Sequence, residues 1–215
     1  MDFLAVVSSI IVTAFAFLII RVLYLLYTIY TTECSLANKG LTSFRTIFCI
    51  GSGGHTTELL RITKSLDASK YQPRLYIVAN NDTGSEIKIR ESEQRNKNFS
   101  ISKIPRSRNV RQSYRSAVFS TLYALYRTVP IIYHFKPNVI LCNGPGTCIP
   151  ICVIVFLLRC MFICNCRIVF VESVCRVRSL SLTGNILQYF ADVFVVQWPQ
   201  LRDVCFRAKY FGRLT

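Results

Sequence analysis

An α/β fold is what the sequence predicts: a Rossmann-like parallel sheet with flanking helices, preceded by one N-terminal transmembrane helix. Three observations carry it. From Thr46 onward, short runs rich in Ile, Val and Phe alternate with helical patterns. Two of those runs end in glycine-rich turns, and residues Phe3 to Ile20 hold no charge. Strands buried on both faces read as continuous apolar runs, and βαβ order makes a parallel sheet covered by helices.

The apolar segment comes first. Between Phe3 and Ile20 only Ser8, Ser9 and Thr13 are polar, and a helix of that length rises roughly 27 Å, close to the hydrocarbon thickness. Arg21 interrupts, and "VLYLLYTIY" carries the apolar run to Tyr30. Arg21 suits a snorkelling position, while Tyr24, Tyr27 and Tyr30 suit an interfacial belt. A cleaved signal peptide would want a basic start, a shorter core and a small-residue cleavage site. Here the start is Met1-Asp2 and no such site follows. With Asp2 on one side of the helix and Arg21, Lys39 and Arg45 on the other, the positive-inside rule puts the bulk of the chain in the cytosol. The expected division is an anchor over 1–30, a polar linker over 31–44 and one domain over 45–215.

Within that domain, strands are expected at Thr46–Ile50, Arg74–Ala79, Ser100–Ile104, Val139–Cys142, Ile168–Val171 and Val193–Val196. Helices are expected at His55–Leu66, Ser85–Arg95, Gln112–Phe135, Ile149–Cys164 and Leu182–Phe190. "IPICVIVFLLRCMFIC" invites a second membrane span, but its uncharged run before Arg159 is too short, so a buried sheet-packing helix is expected.

Hydrophobic residues make up 52% of the chain, and the net charge of +15 lies almost wholly beyond the anchor. A basic domain tethered beside a bilayer meets anionic headgroups or a phosphorylated lipid; no nucleic-acid motif is present. In the cytosol the ten cysteines stay reduced. Cys148, Cys152, Cys160, Cys164 and Cys166 form no CxxC pair and have no histidine nearby, so they read as core residues and no metal site is expected. The sequons at Asn81 and Asn98 would go unused on that side of the membrane.

In a doubly wound sheet, ligands sit outside the carboxyl ends of the strands. Gly51-Ser52-Gly53-Gly54-His55 follows the first strand, and Arg106, Arg108 and Arg111 follow the third. Asn143-Gly144-Pro145-Gly146-Thr147 follows the fourth, Glu172-Ser173 the fifth and Gln197-Trp198-Pro199 the sixth. Glycine-rich turns that open helices offer backbone N–H groups to phosphate oxygens. The plain alternative is a tight turn, with Thr56 or Thr57 capping the helix. The dinucleotide fingerprint would need a third glycine where Thr56 stands, and a P-loop would need Gly-Lys-Ser/Thr; no cofactor is expected. His55 stands next to the positive end of a helix, a place that suits a proton acceptor, although a lone histidine is as readily structural. His134 reads as structural. The three arginines form either a solvated loop or a grip on a pyrophosphate, which guanidinium groups hold in bidentate fashion. Glu172 either pairs with Arg176 or Arg178 or orients an acceptor hydroxyl.

In chain order, "GSGGHTTELLRI", "IPRSRNVRQS", "ILCNGPGTCIPICV", "VESVCRVRSLSLTGNIL", "ADVFVVQWP" and "YFGRL" resemble the membrane-anchor subunit family of the dolichol-pathway UDP-N-acetylglucosamine transferase, within the asparagine-linked glycosylation group. More distantly, the glycine loops and "VES…LTGNIL" are similar to the acceptor half of the bacterial glycosyltransferase that makes the lipid precursor of peptidoglycan. The resemblance implies the N-terminal half of a glycosyltransferase-B fold, in which two Rossmann-like domains face each other. This half would take dolichyl-diphosphate-N-acetylglucosamine; the other binds the UDP-sugar. Because the chain ends at Thr215, the resemblance implies a subunit inactive alone. It would recruit a soluble UDP-GlcNAc-binding catalytic subunit to the cytosolic face of the endoplasmic reticulum, docking through Tyr210, Phe211, Gly212, Arg213, Leu214 and Thr215. Gly51, Ser52, Gly53, Gly54, Asn143, Gly144, Gly146 and Thr147 would cradle the acceptor diphosphate, with Arg106 and Arg108 near it. His55 would remove the O4 proton of the acceptor sugar, with Glu172 as the second catalytic candidate. Two readings compete: a scaffold with a vestigial site, and a membrane-tethered nicotinamide oxidoreductase. The latter lacks the third glycine and an acidic residue at the tip of the second strand, where Asn80 and Asn81 precede Asp82.

Overall fold

The computed structural model describes residues 3–31, 42–107 and 112–215, apart from the side chains of Leu4 and Tyr114. Asp2, Lys39, Arg108, Arg111 and most of the expected linker lie outside the described residues.

Among the described residues, seven strands form one parallel sheet: β1 (Thr46–Cys49), β2 (Arg74–Ala79), β3 (Phe99–Ile104), β4 (Val139–Asn143), β5 (Arg167–Val171), β6 (Val193–Val196) and β7 (Ala208–Tyr210), in the order β3-β2-β1-β4-β5-β6-β7. The chain builds outward from β1 to β3 and then returns to lay β4 against the free side of β1. That return is the topological switch point, where such sheets open a crevice at their carboxyl ends. Cys49 lies opposite both Ile77 and Cys142, so the turns leaving β1 and β4 emerge side by side.

Among the described residues, six α-helices accompany the sheet: α1 (Phe3–Thr31), α2 (Gly54–Ser65), α3 (Thr83–Ser92), α4 (Tyr114–Phe135), α5 (Cys148–Cys160) and α6 (Leu182–Leu187). The period-2 alternation of the strands divides the core between the two faces of the sheet. Ile47, Cys49, Ile77, Ile140, Cys142, Ile168 and Phe170 face Ile132 of α4 and Ile151, Cys152, Val155 and Leu158 of α5. Phe48, Ile50, Tyr76, Val78, Leu141 and Val171 face Leu59, Leu60 and Ile62 of α2 and Ile89 of α3. The described cysteines are all free thiols; burial pushes the Cys49 thiol well above its ordinary value, as befits a small core residue.

Three elements depart from the sequence reading. β7 and a 3-10 turn over Pro199–Arg202 lie where the sequence reading assigns no element; a three-residue edge strand containing Lys209 carries no apolar run to betray it. The expected Ile149–Cys164 helix stops at Cys160, because Phe162 takes a left-handed φ of 60° and turns the chain. Met161, Phe162 and Ile163 are left at the surface.

α1 is long and apolar enough to cross a membrane. From Phe17 onward it also packs against the domain. Leu25 and Ile29 are buried against the domain, Phe17 stacks on Phe162, and Tyr30 stacks on Phe206. The Arg207 guanidinium donates to the Ile29 carbonyl at 2.9 Å and lies 4.8 Å from the Tyr30 ring. Of the three tyrosines expected in an interfacial belt, Tyr24 and Tyr27 are more than half exposed, whereas Tyr30 is held by this contact.

Candidate functional site

The turns after β1 and β4 interlock, and each needs a glycine where the other presents a side chain. A Cβ on Gly51 would lie 2.5 Å from Cγ of Pro145, and a Cβ on Gly144 would lie 2.7 Å from Cε1 of His55. Gly53 and Gly144 also hold φ of 66° and 60°, a region that side-chain-bearing residues rarely adopt. α2 and α5 start in these turns, and neither helix has a side-chain cap. The alternative of Thr56 or Thr57 as cap is not realised. The Thr56 hydroxyl bonds the Gly51 carbonyl and sits 2.6 Å from the Ser85 hydroxyl. No side chain of the caps therefore competes for the first-turn N–H groups, which suits an anion.

A cavity of about 440 Å³ opens there, within the range of small-molecule sites. Its walls are Ser52 and His55 from the first turn, Arg106 from beyond β3, Gly144 to Thr147 after β4, and Arg176, Ser181, Leu182 and Thr183 from the segment after β5. Arg106 Nη2 lies 3.1 Å from Ser52 Oγ, while its Nε is buried without a partner. His55 Nδ1 and Asn143 Oδ1 are also buried and unpartnered. Orphaned buried polar atoms are costly. Two of the five among the described residues belong to side chains that line this cavity and a third lies just behind it, which marks it as a polar binding site.

Behind the wall, Asn143 Nδ2 donates to the His55 carbonyl at 3.1 Å and to Glu58 Oε2 at 3.2 Å. Ser173 Oγ donates to Glu58 Oε1 at 2.9 Å. Buried Glu58 thereby ties α2 to the ends of β4 and β5. The sequence reading gave it no role, although it stands three residues beyond His55, on the same side of the helix. Glu172 is fully buried, and its carboxylate accepts from the Ser173 N–H at 3.0 Å, the Ser181 N–H at 2.9 Å and the Ser181 hydroxyl at 3.1 Å. Neither Arg176 nor Arg178 forms an ion pair with it among the described residues. Burial raises its carboxyl above the usual value, with the hydrogen bonds opposing. Glu172 does not line the cavity; it folds the 172–181 segment so that Arg176, Ser181 and Thr183 reach it.

Of the residues expected around an anion, Ser52, His55, Arg106, Gly144, Gly146 and Thr147 line the cavity. Gly51 and Asn143 are buried behind it, Gly53 and Gly54 are exposed where α2 starts, and Arg108 lies outside the described residues. Arg176, expected only as a possible partner of Glu172, lines the cavity instead, and Thr183 joins it unannounced; its only signal was a place shortly after the fifth strand. His134 lines a separate groove near Arg45 and Phe135. Among the described residues, no group of His, Cys, Asp or Glu is arranged to hold a metal ion. At the C-terminal end, Tyr210 closes β7, and the Leu214 N–H and Thr215 hydroxyl each donate to Gln197 Oε1 at 3.0 Å. Gln197 Nε2 in turn donates to the Glu172 carbonyl at 3.0 Å. Arg213 stacks 4.1 Å over Trp198, and Phe211 is exposed.

Solved structures share this fold. Acinetobacter baumannii MurG superposes with a TM-score of 0.56 at 16% identity, covering 79% of this chain and 45% of that one. LpCGTa, solved in complex with UDP, gives 0.51 at 9% identity over 80% of this chain and 53% of that one. The chain spans about half the length of each, and its fold is the Rossmann-like half of that architecture. Sequence relatives are nearer. Proteins named UDP-N-acetylglucosamine transferase subunit ALG14 match from mouse at 43% identity (80% of this chain, 83% of that one), human at 41% (89% and 92%) and Yarrowia lipolytica at 39% (97% and 99%). The family model described as "Oligosaccharide biosynthesis protein Alg14 like" matches residues 46–214, from the first residue of β1 to the end of the chain but one, and the chain belongs to that family.

Proposed function

We propose that the chain is the membrane-anchoring, acceptor-binding subunit of a two-subunit N-acetylglucosaminyltransferase. It recruits a soluble UDP-GlcNAc-binding catalytic subunit to the cytosolic face of the endoplasmic reticulum membrane. Together they transfer the second GlcNAc onto dolichyl-diphosphate-GlcNAc. The observation that carries this is the cavity. Two uncapped helix starts and the guanidinium groups of Arg106 and Arg176 converge beside the imidazole of His55. Arginines and helix N-termini suit a diphosphate, and the imidazole suits the acceptor hydroxyl. The name borne by the relatives, a transferase subunit, supports the same reading.

In the reaction, the acceptor O4 attacks the anomeric carbon of the donor sugar. A C–O bond forms as the bond to UDP breaks, the O4 proton passes to His55, and UDP leaves with the electron pair on the partner's side. Arg106, Arg176 and the first-turn N–H groups hold the acceptor diphosphate without reacting. Glu172 acts as a positioning residue through Ser173 and Ser181. The segment Tyr210–Thr215 docks the soluble subunit, with Phe211 exposed beside the Arg213–Trp198 stack.

The test is transfer from UDP-GlcNAc to the lipid-linked acceptor in membranes that contain both subunits. His55→Ala is expected to lower transfer about 100-fold, the usual scale for losing a general base, while partner co-purification stays intact. Full transfer in His55→Ala and Arg106→Ala together would establish a scaffold instead. Protease added to sealed microsomes is expected to digest the domain, and its protection would overturn the orientation. Removal of Tyr210–Thr215 is expected to release the partner from membranes.

A further inference from the structure

A second cavity, of about 490 Å³, lies between α1 and the turn that joins α5 to β5. Three guanidinium groups line it, from Arg21, Arg159 and Arg167, and among the described residues no acidic side chain does. Arg159 and Arg167 share one carboxylate outside its walls: Asp192 Oδ1 accepts from Arg159 Nη1 and from Arg167 Nη1 at 2.8 Å each. Arg21 makes no ion pair among the described residues, and its Nε is buried without a partner. Its guanidinium instead rests 3.9 Å from the Phe162 ring centroid and 5.4 Å from that of Tyr24. Stacking of this kind leaves the edge of the guanidinium free to donate hydrogen bonds.

The depth of the cavity follows from the helix that forms one wall. The uncharged run of α1 ends at Ile20, so a membrane-crossing α1 sets Arg21 at the boundary between hydrocarbon and water. On the opposite wall, the exposed Met161–Ile163 turn stacks Phe162 against Phe17, one helical turn deeper. An apolar tip lies below the cavity, and Thr28 and Asn165 complete its lining. Excess positive charge with apolar contact on the hydrocarbon side is the complement of a phosphate joined to acyl chains.

The geometry points to an anionic glycerophospholipid: its headgroup phosphate occupies this cavity, and its chains run down between Phe17 and the Met161–Ile163 turn. The lipid completes the joint between anchor and domain. This inference requires only that α1 crosses the membrane, so its failure leaves the transferase reading untouched.

The experiment places the full chain in nanodiscs of phosphatidylcholine, with or without phosphatidylinositol, and counts retained lipids by native mass spectrometry. The wild type is expected to retain a single phosphatidylinositol. Arg21→Gln is expected to weaken retention about tenfold or more, the scale of one charge-assisted hydrogen bond. Arg21→Lys is expected to recover part of it, and Arg95→Gln, beside the opposite edge strand β3, is expected to retain the lipid like the wild type. Circular dichroism checks that the variants fold. Equal retention in Arg21→Gln and the wild type would overturn the proposal. So would glycerol phosphate binding to phosphatidylcholine discs as tightly as the lipid, which would mark a site for a soluble phosphate ester.

Discussion

Gly144 is a residue whose smallness positions another residue's chemistry. Its φ of 60° and the His55 ring against it leave no room for a methyl group. Gly144→Ala is expected to cost about 1–3 kcal/mol in thermal unfolding and to lower transfer as well, because the imidazole must move. Glu172→Gln is expected to cost about 1–3 kcal/mol, since an amide N–H then faces N–H donors. Its pH dependence has a definite sign. The folded carboxyl is raised above its ordinary value of 4.5, so the native state holds the proton more tightly than the unfolded chain. The associated stability is full below that value and fades as pH rises through the folded one. The stability gap between wild type and Glu172→Gln is therefore expected to narrow with rising pH, as read from unfolding at a series of pH values. At this scale the sequence revealed His55 and Arg106 by their place at strand ends. It concealed the pairing of Glu58 with Asn143, because nothing in the hydrophobic period says that β4 returns to the side of β1.

Elements are joined here by a few buried charges. Asp192, just before β6, accepts from Arg159 at the end of α5, from Arg167 at the start of β5, and from the Ile168 N–H at 2.9 Å. Asp192→Ala leaves Arg159 buried without its carboxylate, and removing one partner of a buried pair costs about 3–5 kcal/mol. A lowered denaturant midpoint with an unchanged m-value is the expected readout. The strands were the most legible part of the fold, since β6 is a continuous apolar run, β2 is one after Arg74, and both fall where the sequence places them. The end of α5 was not legible. "LLRCMFIC" stays apolar beyond the helix, and the left-handed turn at Phe162 is made by a residue that seldom adopts one.

For the molecule as a whole, composition announced a long apolar helix but not its contact with the domain. In the apolar run that follows Arg21, Leu25 and Ile29 look no different from their exposed neighbours, yet they are buried against the domain. Arg207 fastens this contact by donating to the carbonyls of Ile29, Gln188 and Ala191 at 2.9, 3.1 and 2.8 Å. Arg207→Met is expected to leave the sheet folded while raising hydrogen exchange around residues 25–31 and beside Phe206. Unchanged exchange there would mean that apolar contact alone holds α1 in place.

The meshing of the two glycine turns has a mechanical consequence. With Pro145 seated on Gly51 and His55 on Gly144, neither turn can shift unless the other yields, so the pair shares one degree of freedom. Substitutions in one turn should therefore register in the other, and a double-mutant cycle between Gly144→Ala and Pro145→Ala on one side and His55→Ala on the other should depart from additivity. Any ligand in this cavity would then meet a bite of fixed width.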